Sequence, residues 1–193
     1  IFWRREASDL NYRRFFAVTT LAAVRVEEPE VFDAAHAEVL RWLREGPVDG
    51  LRVDHPDGLA DPGAYLDRLA AHTGGAYVLV EKILEHAATA HPETLPDWWR
   101  THGTTGYNAM AEIDRVLIDP QGEKALNDLD TALRGRALTS WGDLIHTTKR
   151  MIADTIQVSE IRRLVRLLGP DADPRSEDAL AELLACYPVY RSY

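Results

Sequence analysis

The chain has 193 residues, of which 46% are apolar and 27% charged, an ordinary composition for a globular domain with a buried core. Its net charge of -9 argues against binding through the phosphates of nucleic acid or anionic lipid, whereas a neutral substrate is easily accommodated. No apolar run approaches the roughly 18 residues of a membrane-spanning segment, and the single cysteine, Cys186, excludes an internal disulfide. These features predict a cytoplasmic protein in which Cys186 packs in the core.

The first part of the chain alternates helix and strand patterns. Apolar residues recur at helical spacing over residues 29–46, with proline at the opening and glycine at the close. The short apolar run 48–53 predicts a buried parallel strand. Asp61 is placed to cap a second helix that stops at Gly74, and the run 76–80 predicts the next strand. This order predicts two parallel strands joined by a right-handed crossover.

Beyond Gly106 the pattern is helical throughout. The predicted helices cover about residues 107–117, 122–133, 140–168 and 176–186. A loop is predicted at 169–174, where two prolines and two aspartates fall together. We therefore predict two domains, an α/β part over residues 1–118 and a helical part over residues 119–193.

The strand that ends at Asp54 carries the first candidate catalytic residue. Side chains alternate along a strand, so Arg52 and Asp54 share one face. A guanidinium beside a carboxylate favours the ionised form, which suits Asp54 to act as a nucleophile or as a fixed negative charge. An ion pair that merely closes the strand end explains the pattern equally well.

A second acid, Glu81, follows the next apolar strand. Because the carboxyl ends of parallel strands lie at one edge of a sheet, Asp54 and Glu81 are expected to converge. Two such carboxylates, one ionised and the other able to carry a proton, are what a retaining glycosidase needs, and they lie about 5–5.5 Å apart. Metal sites and proton-abstracting enzymes also gather acids at this edge, so spacing alone leaves those chemistries open.

Five runs of sequence stand out, in order along the chain: NYRRFF at 11–16, GLRVDHPDGL at 50–59, VEKIL at 80–84, GTTGY at 103–107 and PVYRSY at 188–193. The second resembles the nucleophile segment of the α-amylase superfamily, in the form found in maltooligosyl trehalose synthases. The third resembles the acid/base segment of the same enzymes. The other three narrow the resemblance from the superfamily to these synthases.

The resemblance implies an intramolecular transglycosylation that needs no metal or other cofactor. The reducing-end α-1,4 linkage of a maltooligosaccharide becomes an α,α-1,1 linkage by a retaining double displacement. Asp54 matches the nucleophile, Glu81 the acid that then acts as base, and Arg52 the residue that orients the nucleophile. The released glucose, in place of water, attacks through its anomeric hydroxyl, so exclusion of water decides isomerisation over hydrolysis.

Several side chains near the two acids are predicted to contact the sugar. These residues are Arg52, His55, Asp57, Lys82 and Tyr107. For His55, Asp57 and Lys82, contacts that stabilise the loop are an equal alternative. Tyr107 follows a loop whose glycines allow close approach to a ligand.

Other aromatic and histidine residues are assigned no direct role. Trp98 and Trp99 are predicted to anchor a helix in a core. The seven histidines include no pair four residues apart, so no metal site is predicted.

The resemblance implies an α/β fold: a partial (β/α)8 TIM barrel with about strands 4 and 5 and their flanking helices, followed by a mostly α-helical segment. A complete barrel takes about 250 residues. The third acid of α-amylase relatives, in a run of Asn-His-Asp character, does not occur in this sequence. We therefore predict an incomplete, inactive piece whose partners are a maltooligosaccharide or α-glucan and the remainder of the same enzyme chain.

Two other interpretations stay open. The chain could come from another α-amylase superfamily hydrolase or transglucosidase acting on α-glucans, or it could be a non-catalytic helical carbohydrate-binding or interaction module. Residues 103–107 favour the synthases over the first. The acids at both strand ends disfavour the second. No nucleic-acid or membrane partner is predicted.

Overall fold

The computed structural model describes residues 2–4, 6–84 and 93–193. The chain divides into two compact units. The helical unit comprises Ile1–Ala23 and Gln121–Tyr190, and the α/β unit comprises Val24–Pro120 and Arg191–Tyr193. The domain limits inferred from sequence, 1–118 and 119–193, stay a prediction.

The described part of the chain contains short strands and longer helices, joined by loops and 3-10 turns. The strands are β1 (Arg14–Phe15), β2 (Val18–Ala22), β3 (Gly50–Val53) and β4 (Tyr77–Val80). The helices are α1 (Pro29–Glu45), α2 (Pro62–Thr73), α3 (Tyr107–Leu117), α4 (Glu123–Arg134), α5 (Trp141–Asp154), α6 (Val158–Leu167) and α7 (Ser176–Cys186). None of the helices within the described ranges is both long enough and apolar enough to cross a bilayer.

The ends of α1 and α2 follow from local chemistry. The carboxylate of Asp61 accepts a hydrogen bond from the Ala64 N–H at 2.9 Å and so caps the first turn of α2. Gly46 and Gly74 end the two helices in the left-handed conformation, with φ of 87° and 67°. Both predicted helices are confirmed.

Strands β3 and β4 form the parallel pair that the sequence predicts. Their register places Gly50 opposite Tyr77 and Val53 opposite Val80. The buried core beside them consists of Phe32, Leu66, Leu69, Val78, Val80 and Trp99. Helices α1 and α2 thus pack their apolar faces on the strands whose carboxyl ends carry the candidate acids.

The hairpin β1–β2 has no counterpart in the predicted elements. Its strands are antiparallel, and Phe16 turns the chain between them with a φ of 50°. Most of β2 is exposed, with only Thr19 partly buried. A strand without a buried face lacks the apolar alternation from which strands are predicted.

The single helix predicted over residues 140–168 is wrong, because the structure has two helices with a break between Asp154 and Val158. The Thr155 hydroxyl donates to the Met151 carbonyl at 2.6 Å. The Gln157 N–H donates to the carbonyl of Ile152, five residues back, at 3.0 Å. Competition by a threonine hydroxyl for backbone acceptors interrupts a helix without changing its apolar periodicity.

The expectation that Cys186 packs in a core is also wrong, because the thiol is exposed. Helix α7 buries Ala181 and Ala185 instead. In the helical unit, Ala153 and Ile161 complete the cluster around Ala181. Cys186 follows Ala185 by one position, about 100° around the helix, and so leaves the buried face.

The two neighbouring tryptophans differ in burial. Trp99 is 4% exposed and belongs to the core, as predicted, whereas the prediction for Trp98 is wrong because it is 53% exposed. The Trp98 ring lies across Gly63 in α2, where an added Cβ would stand 1.8 Å from the ring. The missing side chain at Gly63 makes this close approach possible.

Replacing Gly63 by alanine is expected to lower the free energy of unfolding by about 1–3 kcal/mol, because the methyl group displaces the Trp98 ring. In a Trp98→Ala background the same change is expected to stabilise by up to about 1 kcal/mol, since alanine is the better helix former. Urea unfolding of the four members of this cycle measures both effects. The same sign in both backgrounds would contradict the steric explanation.

Candidate active site

The carboxyl ends of β3 and β4 bring the two candidate acids to one edge of the sheet. The Glu81 N–H donates to the Val53 carbonyl at 2.8 Å, which extends the parallel pairing by one residue. The His55 N–H donates to Oε2 of Glu81 at 3.1 Å. Since His55 directly follows Asp54, this hydrogen bond joins the chain next to the first acid to the carboxylate of the second. The close approach of the two carboxylates themselves stays a prediction.

Arg52 and Asp54 share a face of β3, as the period of two predicts. Nη1 of Arg52 lies 2.6 Å from Oδ1 of Asp54, and their side chains are 47% and 59% exposed. An exposed ion pair of this kind contributes at most about 1 kcal/mol to stability. Its structural effect is to orient the carboxylate of Asp54 at the strand end.

His55 adopts a backbone conformation that is uncommon for a non-glycine residue, with a φ of 46°. Its ring lies over Gly58, where an added Cβ would stand 2.6 Å from Nδ1. The turn Pro56–Gly58 follows at once as a short 3-10 helix. This tight turn directs the His55 amide towards Glu81.

A buried charged cluster adjoins the candidate acids along the chain. Nζ of Lys82 is 3.2 Å from Oδ2 of Asp57 and 2.8 Å from Oε1 of Glu93, and the three side chains are 2%, 8% and 16% exposed. Burial by itself lowers the pKa of Lys82, but the hydrogen bond that its ammonium donates to Glu93 and the charge of Asp57 outweigh it and raise that pKa. Lys82 is therefore held as a cation between two carboxylates.

Residues 191–193 hold the turn that follows Asp54. The Arg191 guanidinium donates to the carbonyls of Asp57 at 2.8 Å, Leu59 at 2.6 Å and Ala60 at 3.3 Å. The Tyr193 hydroxyl donates to the Asp57 carboxylate. Burial, together with the charge of Asp57, raises the pKa of Tyr193 far above its usual value, so this hydroxyl stays a donor.

Glu93 is not singled out by any sequence pattern, and Arg191 is assigned no role in the sequence analysis, although both contact the residues of this arrangement. The run 188–193 contributes to the family resemblance but is assigned no role there. Its arginine and tyrosine side chains form the contacts with Asp57. Glu93 has no local signal of any kind, because its partner Lys82 is recognised only once the chain is folded.

The first residues of the run 103–107 lie alongside β4. The Val80 N–H donates to the Gly103 carbonyl at 3.0 Å, and the Thr105 N–H donates to the Val80 carbonyl at 3.1 Å. Val80 and Thr104 form a parallel bridge. The chain at Thr104 therefore runs parallel to β4, and α3 begins three residues later, at Tyr107.

Apart from Tyr107, which begins α3, the predicted site residues fall into two groups. Arg52, Asp54, His55 and Glu81 lie at the sheet edge, whereas Asp57 and Lys82 contact each other in the buried cluster. Their roles in catalysis and sugar binding stay predictions. Of the histidines considered as metal ligands, His86 and His91 lie outside the described residues.

Parallel strands followed by acidic side chains at a common edge are the arrangement of a β/α-sheet enzyme site. No protein-family model matches the chain. The maltooligosyltrehalose synthase of Arthrobacter ramosus has a similar structure, with a TM-score of 0.88 and 53% identity over 98% of this chain and 24% of that one. A hypothetical maltooligosyl trehalose synthase of Sulfolobus tokodaii gives a TM-score of 0.67 and 32% identity over 98% of this chain and 24% of that one.

A curated Mycobacterium tuberculosis protein, itself only provisionally assigned as a maltooligosyl trehalose synthase, is 43% identical over 94% of this chain and 23% of its own length. The chain therefore belongs to the maltooligosyl trehalose synthase family and spans about a quarter of the length of these relatives. The resemblance of the five sequence runs is confirmed.

Proposed function

We propose that this chain supplies part of the catalytic centre of an enzyme that converts the reducing-end α-1,4 bond of a maltooligosaccharide into an α,α-1,1 bond. The observation that carries the proposal is the hydrogen bond from the His55 N–H to the Glu81 carboxylate, because it joins the residue after Asp54 to the second acid. The names of the relatives support the reaction class.

The proposed mechanism is a double displacement. A carboxylate oxygen of Asp54, oriented by Arg52, attacks the anomeric carbon while the bond to the glycosidic oxygen breaks. Glu81 gives its proton to that oxygen, which leaves on free glucose. In the second step Glu81 takes the proton of the glucose anomeric hydroxyl, whose oxygen attacks the anomeric carbon and displaces Asp54. No water is consumed, so the overall reaction is an isomerisation.

Two classes of contact support this chemistry in the proposal. In this proposal Arg52, His55 and Tyr107 contact sugar hydroxyls or ring faces. Asp57 and Lys82 are already engaged in the buried cluster, so we propose that they hold the turn after Asp54. In this proposal the charged network supports the turn after Asp54 and takes no part in the chemistry.

We further propose that β3, β4 and the segment at Thr104 are consecutive parallel members of a (β/α)8 barrel that the remainder of the enzyme chain completes. The order strand, helix, strand and the parallel bridge at Thr104 support this proposal. The third acid of the mechanism would then come from that remainder.

The 193-residue chain alone is expected to form no trehalose-ended product from maltopentaose, because it lacks a third acid run. The whole enzyme that contains this segment is expected to consume reducing ends without releasing glucose in equal amount. Reducing-sugar assay and chromatography measure both outcomes. Product from the isolated chain would overturn the incomplete-piece proposal, and glucose release alone from the whole enzyme would favour a hydrolase.

A further inference from the structure

Helices α5 and α7 of the helical unit bring an imidazole, a carboxylate and a thiol together. Nε2 of His146 lies 2.8 Å from Oε1 of Glu182, and Sγ of Cys186 lies 3.5 Å from the same oxygen. The three atoms that could bind a metal all lie within 4.8 Å of one another. Nothing in the proposed reaction uses these groups.

The fold brings these side chains together from two directions. Glu182 and Cys186 are four residues apart on α7 and therefore lie on one face of the helix. His146 projects from α5, which the core residues Ala153 and Ala181 help to pack against α7. The three side chains are exposed, so an ion from solvent can reach them.

We propose that His146, Glu182 and Cys186 form a binding site for Zn²⁺, with water as the fourth ligand. Imidazole nitrogen, thiolate sulfur and carboxylate oxygen are the ligands of zinc, whereas Mg²⁺ and Ca²⁺ need sites built of oxygen. Zinc lies about 2.0–2.3 Å from such atoms, so neighbouring ligands of a tetrahedral ion are about 3.3–3.6 Å apart. The separation of 3.5 Å between Sγ of Cys186 and Oε1 of Glu182 already matches these values, and rotation of the exposed His146 and Glu182 side chains adjusts the other separations.

The surrounding charges favour one arrangement of the carboxylate. Nη1 of Arg150 bonds Oε2 of Glu182 at 3.3 Å, which leaves Oε1 facing His146 and Cys186. Such outer contacts orient metal ligands. The hydrogen bond to Glu182 raises the pKa of the Cys186 thiol, against an opposing effect of Lys149. Zinc binding therefore displaces a thiol proton to solvent.

A search for histidine pairs does not detect this arrangement, because it needs only one histidine and its ligands come from two helices. The break between α5 and α6 also matters. It ends α5 at Asp154, so that α5 and α6 can both pack against α7, with His146 on α5 and the other two ligands on α7.

Zinc binding to the 193-residue chain tests the proposal directly. We expect one Zn²⁺ per chain by calorimetry, and we expect zinc to slow alkylation of the thiol by at least about tenfold. Cys186 is the only cysteine, so the alkylation rate reports this site alone. Co²⁺ is expected to give a thiolate-to-metal charge-transfer band.

The variants His146→Ala and Glu182→Gln are each expected to weaken zinc binding by at least about tenfold. Glu177→Gln, which removes another exposed carboxylate of α7, is the matched control and is expected to bind zinc normally. Circular dichroism checks that each variant is folded. The proposal is wrong if the unaltered chain binds no zinc, or if both ligand variants keep full zinc protection of the thiol.

Discussion

Replacing Asp54 by asparagine in the whole enzyme that contains this segment is expected to lower the rate of trehalose-end formation on the order of 10⁴–10⁶-fold. Glu81→Gln is expected to lower it roughly 10²–10⁴-fold, since the amide cannot donate a proton to the departing oxygen. Chromatographic assay of maltopentaose conversion measures both losses. Asp49→Asn is the matched control, because Asp49 is an exposed acid before the opposite end of β3.

A maltooligosyl fluoride separates the two proposed roles. Fluoride leaves with little help from an acid, so Glu81→Gln should still form the covalent glycosyl-enzyme, which then accumulates because the base is also missing. Mass spectrometry should locate that adduct on Asp54 and find none in Asp54→Asn. Full turnover in either variant would refute the assignment. An adduct on another residue would show that this residue, and not Asp54, is the nucleophile.

Replacing Lys82 by methionine is expected to lower the free energy of unfolding by about 3–5 kcal/mol, because it leaves two largely buried carboxylates without their cation. Methionine keeps most of the volume, so the loss is mainly electrostatic. Urea unfolding followed by tryptophan fluorescence measures it, since Trp42, Trp98 and Trp99 lie in the α/β unit.

Arg115→Met is the control for the Lys82 variant. Arg115 pairs with Glu112 on the exposed surface of α3, where loss of an ion pair costs less than about 1 kcal/mol. Neutralising both acids of the cluster as well, by Asp57→Asn and Glu93→Gln, is expected to recover part of the stability lost in Lys82→Met. A loss below about 1 kcal/mol for Lys82→Met would show that the cluster does not hold this part of the fold.

Local patterns predict most of the helices because their signals are local. The cap at Asp61 and the glycine stops at positions 46 and 74 act within one turn, and the structure has them where the sequence predicts. The predictions fail where local rules compete. Thr155 interrupts a helix whose apolar period continues, and β2 has little buried face to produce an alternating pattern.

The chain by itself determines that acids follow two successive apolar strands, and the parallel pairing of these strands places the residues after Val53 beside Glu81. Only the tertiary structure decides which partners the neighbouring charged side chains contact. Asp57 and Lys82 suit sugar hydroxyls as well as ion pairs, and it is folding that buries them. Asp57 meets Arg191 and Tyr193 across 134 and 136 residues of chain. Contacts over such separations depend on how the elements pack, which no local pattern specifies.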